Sequence, residues 1–144
     1  LKDDKDQTVS LKDFEGSYVL VYFYPKDLTP GCTTEACSFK DNMNQLKKLG
    51  VQVLGISCDS VATHQKFKEK YQLNFPLLAD IDKEVVEKYG VWVEKSMYGK
   101  KYMGIQRDSF LINPQGIIVK HYLKIKPAEH VAEIINDVKE LKQS

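Results

Sequence analysis

The sequence has no apolar run near the roughly 18 residues that a membrane-spanning helix requires, so a helical membrane protein is excluded. It has no excess of either charge. Twenty-one basic and 20 acidic residues give +1, and they interleave rather than form blocks. Neither a nucleic acid nor a membrane surface is an expected partner. Cysteine is scarce: three in 144 residues are too few for a disulfide-built scaffold, and the odd count leaves at least one thiol unpaired within the chain. Phosphate loops, dinucleotide fingerprints and Cys-x-x-Cys pairs are absent. There are no internal repeats, linkers or low-complexity tracts. Leu1 to Ser10 is charged and has no hydrophobic signal core, so it is not read as a signal peptide. No initiator Met stands at its head, which suggests a trimmed or processed chain.

What is present suits one domain over 1–144. With 42% hydrophobic and 28% charged residues, the composition is that of an ordinary globular protein. Tyr18 to Tyr24 is a continuous apolar and aromatic run, the mark of a central strand covered on both faces. Ala36, Phe39, Met43, Leu46 and Leu49 recur at helical spacing, which predicts one amphipathic helix over Thr33–Leu49, stopped by Gly50. Val51–Ser57 predicts a second buried strand. Asp59 or Ser60 caps a helix reaching about Tyr71. Phe75–Ala79 is a short strand, and Asp80 or Asp82 caps a brief helix ending at Gly90. Lys95–Gly104, polar and basic with two glycines, is expected to be a loop. Ser109–Asn113 and Ile117–His121 flank Pro114-Gln115-Gly116, which is turn chemistry, so they predict a hairpin. Pro127 suits the first position of a last helix, with Val131, Ile134, Ile135, Val138 and Leu141 as its buried stripe.

Early strands separated by helices must pair in parallel through right-handed crossovers, and the closing hairpin adds an antiparallel pair. The predicted architecture is α/β: a thioredoxin-like mixed central sheet with helices on both faces.

The chemistry concentrates at the first strand's end. Cys32 follows a short loop there and falls in the first turn of the predicted helix. Unpaired N–H groups and the positive end of the helix dipole favour a thiolate in that place. In a parallel sheet, sites gather at the carboxyl ends of strands. Cys58 follows the carboxyl end of the second strand, on the same rim if the two strands are neighbours. It reads either as a structural thiol or as a second partner for an oxidised Cys32. Thr29 offers a hydroxyl three residues before Cys32, the amides around Gly31 and Cys32 point outward, Pro25 can wall off water, and Arg107 is a permanent cation. Together these suit a thiolate attacking a peroxide O–O bond. Glu35 either supports Arg107 or backbone, or is simply an acid well placed near a helix start.

The segment Tyr24-Pro25-Lys26-Asp27-Leu28-Thr29-Pro30-Gly31-Cys32-Thr33-Thr34-Glu35-Ala36-Cys37 resembles the active-site signature of peroxiredoxins, most closely the bacterioferritin-comigratory-protein, or Q-type, subgroup. Pro25, Thr29 and Cys32 match the family pattern at its spacings. Arg107, just before Ser109-Phe110-Leu111-Ile112, matches the family arginine. Gly55-Ile56-Ser57 with Asp59-Ser60, and Phe75 to Asp80, extend the similarity over nearly the whole chain. Three departures stand out: the family's N-terminal Ala-Pro-x-Phe segment is absent, so a short strand is expected to be missing; Asn113 replaces a frequent Asp; and Cys58 is extra.

The resemblance implies reduction of hydrogen peroxide and alkyl hydroperoxides, with no metal or organic cofactor. It implies Cys32 as nucleophile, Cys37 as resolving cysteine, and Thr29, Gly31 and Arg107 as peroxide-binding groups. A thioredoxin-like donor would return the electrons to a cytoplasmic monomer. Five residues of α-helix separate two Cα atoms by roughly 8.6 Å, whereas a disulfide needs under about 7 Å. The implied Cys32–Cys37 bond therefore requires the helix to unwind. A metal site from Cys32, Cys37, Cys58 and His64 is disfavoured by spacing. His64, His121 and His130 read as surface or structural. Asp80 and Asp82 read as caps, and the Tyr98–Lys101 cluster as a solvated loop or a flank of the substrate mouth. Two rivals remain: a disulfide oxidoreductase, which wants the missing Cys-x-x-Cys, and a redox sensor, which shares the chemistry as far as the sulfenic acid.

Overall fold

The computed structural model describes residues 1–123, 125–126 and 129–143. The elements in chain order are β1 (Lys2–Asp3), a 3-10 turn (Leu11–Phe14), β2 (Tyr18–Phe23), α1 (Pro30–Asp41), α2 (Met43–Lys48), β3 (Val51–Ser57), α3 (Val61–Tyr71), β4 (Leu77–Ala79), α4 (Glu84–Lys88), β5 (Trp92–Met97), β6 (Lys100–Ile105), β7 (Ser109–Ile112), β8 (Ile118–Tyr122) and α5 (His130–Gln143). Six strands form one sheet in the order β1-β4-β3-β2-β7-β8, and β5 and β6 form a separate hairpin. β2, β3 and β4 run parallel, while β7 returns antiparallel against β2. This is the mixed, thioredoxin-like sheet expected. No helix among the described residues is long and apolar enough to cross a membrane.

The apolar run of β2 is buried on both faces because its side chains alternate across the sheet. Leu20 and Tyr22 meet α1, α2, α3 and α5 through Phe39, Met43, Leu46, Phe67 and Ile134. Val19, Val21 and Phe23 point the other way, to Leu54, Ile56, Val86, Val91 and Phe110. Gly55, beside Tyr22 in the β2–β3 register, leaves room for that ring: a Cβ there would stand 2.9 Å from the Tyr22 phenol.

Several expectations are corrected. The helix over Thr33–Leu49 is two helices. Asn42 (φ −105, ψ 8) leaves helical geometry, and its Nδ2 donates to the Ser38 carbonyl. Asparagine competes in this way with the backbone ladder, yet the apolar stripe stays buried across the break. Lys95–Gly104 is not a loop. It lies within the β5–β6 hairpin, whose turn residues Tyr98 (φ 52) and Gly99 (φ 77) are both left-handed, the geometry of a two-residue hairpin turn. Most of its side chains are exposed, so no alternation marks it. The strand predicted over Phe75–Ala79 begins at Leu77.

Ser60, not Asp59, caps α3, accepting from the Thr63 amide. Neither Asp80 nor Asp82 is the cap residue of α4; Lys83 is, in a left-handed conformation. Asp80 still serves that helix from outside, accepting from the Val86 amide at 2.8 Å. Asn113 accepts from the Gln115 and Ile117 amides, a turn role its amide oxygen fills as a carboxylate would. Lys2–Asp3 pairs antiparallel with β4, a strand too short to have a sequence signal. Pro127 lies outside the described residues. α5 begins at His130 with Val131, Ile134, Ile135 and Val138 buried.

Candidate active site at the start of the first helix

β7 runs antiparallel to β2, with Ser109 opposite Tyr22. The Phe23 amide donates to the Asp108 carbonyl. Register therefore delivers Arg107 to the rim where β2 ends and α1 begins. Thr29 is the cap residue of α1 (φ −84, ψ 153), and Pro30 fills the first helical position, where its missing N–H costs nothing. Cys32 comes two residues later, 1% exposed.

Arg107, the chain's only arginine, joins the pieces. Its Nη2 donates to Cys32 Sγ at 3.4 Å and its Nη1 to Glu35 Oε1 at 3.0 Å. Cys32 and Glu35 are three residues apart on one helix face, so a single fork reaches both. Glu35 is thus an ion-pair partner of Arg107 rather than only an acid near a helix start. Burial pulls the guanidinium pKa down, but Cys32 and Glu35 outweigh it and the net direction is up. In the fully buried Glu35 carboxyl the balance falls the other way. Burial raises it and Arg107 only partly offsets this, leaving it near 7. Its Oε2 has no partner among the described residues, nor has the Tyr22 hydroxyl. Burial first, then the charges of Glu35 and Cys32, push the Tyr22 phenol well above its ordinary value.

A pH dependence follows. A carboxyl raised from 4.5 to about 7 binds its proton more tightly folded than unfolded. That contribution is complete below the unfolded value and is lost as pH climbs toward 7. Urea denaturation should show Glu35→Gln removing a decline of on the order of 1–3 kcal/mol between pH 4.5 and 7. An unchanged slope would count against the assignment.

Thr29 Oγ1 donates to the Lys26 carbonyl at 2.8 Å, which fixes the hydroxyl and leaves its lone pairs free to accept. Gly31 is half-buried beside Cys32, and Pro25 is exposed on the rim. Cys37 is half-buried farther along the intact helix, and all three cysteines are free thiols. Cys58 shares the rim but packs on the opposite face of the sheet from Cys32. Burial, then Asp80, pushes its thiol to about 11, which suits the structural reading.

The histidines are placed as structural groups. His64 is fully buried, with its nitrogens bonded to Asp27 and the Leu78 carbonyl, which removes it from any metal set. His130 is buried against Ser109, and His121 pairs with Asp108.

Lys95 was not singled out by sequence. It lies in β5, half-buried, with its stem laid across Gly104: a Cβ there would be 3.3 Å from Lys95 Cδ. Burial and then the charge of Arg107 lower its pKa, while Cys32 raises it. The hairpin thus brings a second cation toward the site, whereas the Tyr98 side chain stands at the tip, 97% exposed.

Comparison with known proteins agrees with this arrangement. A model of the AhpC/TSA family matches residues 1–121. The putative peroxiredoxin bcp of Coxiella burnetii is 54% identical over 135 residues, covering 94% of this chain and 89% of that protein. Peroxiredoxin Bcp of Escherichia coli K12 is 51% identical over 140 residues, covering 97% and 90%. A solved structure of the Xanthomonas campestris bacterioferritin comigratory protein, studied for its alkyl peroxide reduction activity, superposes with a TM-score of 0.92. It is 37% identical and covers 97% of this chain and 89% of that one. A cysteine held by arginine at a helix start, within this sheet order and at these identities, leaves one assignment: the chain belongs to the AhpC/TSA family, as a thiol peroxidase of the Bcp/Q-type peroxiredoxins.

Proposed function

We propose that Cys32 attacks the peroxide, that Arg107 and Thr29 hold it in line, and that Cys37 closes the cycle. The observation that carries this reading is the Arg107 fork, shared between the Cys32 sulfur and Glu35. The sulfur attacks the nearer peroxide oxygen, and an S–O bond forms as the O–O bond breaks. Sulfur is oxidised by two electrons. The departing oxygen takes those electrons and a proton and leaves as water or an alcohol. Arg107 places positive charge where that oxygen becomes anionic. Thr29, its own proton engaged by Lys26, accepts from the peroxide hydroxyl. The first-turn amides of Gly31 and Cys32, without intrahelical partners, supply further donors. The alkyl peroxide reduction of the Xanthomonas protein supports alkyl hydroperoxides beside hydrogen peroxide as substrates.

The Cys37 thiol then condenses with the Cys32 sulfenic acid, releasing water and forming a disulfide. A thioredoxin-like dithiol reduces that bond by exchange. Three free thiols suit a reducing compartment such as the cytoplasm. Because α1 is continuous from Pro30 to Asp41, the disulfide requires its first turns to open. Circular dichroism should therefore lose signal equal to about two helical turns on oxidation of the wild type, and nothing in Cys37→Ser. Without added small thiols, Cys37→Ser should consume about one equivalent of peroxide and stall. Many turnovers by that variant would remove Cys37 from the cycle.

A further inference from the structure

The loop between β2 and α1 is tied down by a buried polar cluster that the reaction above does not use. Tyr24 Oη donates to Asp27 Oδ1 at 2.5 Å, and His64 Nδ1 stands 2.5 Å from Asp27 Oδ2. His64 Nε2 lies 2.9 Å from the Leu78 carbonyl. Tyr24 and His64 are fully buried and Asp27 nearly so, at 3%. A carbonyl only accepts, so Nε2 is the donor to Leu78. Burial first, then neighbouring Tyr22 and Asp27, push the Tyr24 phenol well above its ordinary value, so it remains a donor. Both Asp27 oxygens are thereby engaged. The Asp27 amide is held as well, donating to Asp59 Oδ2, which also accepts from Ser57 Oγ at the end of β3.

Such a cluster is costly to bury, and it sits at an informative place. Asp27 lies between Pro25 and Thr29. The next residue, Leu28, is non-glycine at φ +66 and 41% exposed, a strained conformation that persists only where its surroundings over-determine it. The two sides of the clasp differ in origin: α3 supplies His64, and the middle of β4 supplies the Leu78 carbonyl.

We propose that His64 is a positioning residue for the peroxide reaction: by gripping Asp27 it holds the Pro25–Thr29 loop, and with it the Thr29 hydroxyl, in register with Cys32. This rests on the assignment of Cys32 and Thr29 made above. His64 touches neither peroxide nor sulfur. It ties the loop to α3 and β4, so that Thr29 meets the substrate at a fixed distance from the sulfur. The clasp also lies outside α1, so it stays in place when the first turns of that helix open.

The test compares two reactions of the same sulfur. Peroxide needs the loop. Iodoacetamide, a small uncharged alkylating agent, needs only the sulfur. The readout is the ratio of the two rates at Cys32, followed by mass spectrometry of its peptide in the whole protein. Asparagine places an amide near the Nδ1 position and keeps the bond to Asp27. Glutamine reaches the Nε2 position and keeps only the bond to Leu78. The ratio should fall at least about 10-fold in His64→Gln and return to within about 3-fold of wild type in His64→Asn. Tyr24→Phe, which removes one bond to Asp27 and keeps the ring, should lower it about 3-fold and serves if His64→Gln fails to fold. An unchanged ratio in His64→Gln and Tyr24→Phe, with both rates falling together or neither falling, would overturn the proposal. A wild-type Cys32 that alkylates readily but ignores peroxide would overturn the role given to Cys32, and this proposal with it.

Discussion

Cys32→Ser should lose peroxide turnover altogether, a fall of at least about 10,000-fold, while unfolding at nearly the wild-type temperature. Serine keeps the size of the side chain, and the buried environment of Tyr22, Ala36 and Phe39 is unaltered. What disappears is the polarisable sulfur. A hydroxyl is not ionised near neutrality, and its hard, weakly polarisable oxygen does not attack a peroxide oxygen as a thiolate does. Cys58 does not substitute, because it faces the other side of the sheet and burial holds its thiol near 11. Continuous assay with a thioredoxin system reads the activity, and thermal unfolding reads the fold. Retained turnover would mean that another group does the chemistry.

Arg107→Met should slow peroxide reduction by about 100- to 1,000-fold and destabilise the protein as well. Removing the cation takes away the donor at 3.4 Å from the sulfur and strands Glu35 in the interior. Breaking a buried pair in this way costs about 3–5 kcal/mol. The loss should lie at the low end, because a Glu35 carboxyl near 7 takes up a proton when its partner goes. The double variant Arg107→Met, Glu35→Gln separates the two effects: stability should return and the rate should not. Recovery of the rate in the double variant would show that Arg107 acts only by neutralising Glu35.

Much of this was legible from residue order. Seven apolar residues from Tyr18 to Tyr24 can hardly be anything but a doubly covered strand, and Val51–Ser57 followed the same logic. A strand, a short polar loop and then helical spacing placed the Cys32 thiol in the first turn of a helix, although the helix starts at Pro30, capped by Thr29, rather than at Thr33. Which rim received Arg107 was not legible, because it depends on β7 pairing antiparallel to β2, a tertiary choice. The β5–β6 hairpin was hidden because both its faces are largely exposed, so nothing alternated except the left-handed Tyr98-Gly99 turn. Lys95 was lost with it. The break at Asn42 was masked by an apolar stripe that stays in phase across it.

His64 and Asp27 show a different limit. Polar residues are expected outside, so their burial is visible only once Tyr24, Asp59 and the Leu78 carbonyl are seen to satisfy them. Glu35 could be suspected from its place three residues after Cys32. Its burial, which sets its proton affinity, could not.

The most direct measurement is mass spectrometry of Cys37→Ser after one equivalent of peroxide, with dimedone present to trap sulfenic acid. The account predicts one adduct per chain, on the peptide containing Cys32, with Cys58 unmodified. An adduct on Cys58, or none on Cys32 while peroxide is consumed, would contradict it.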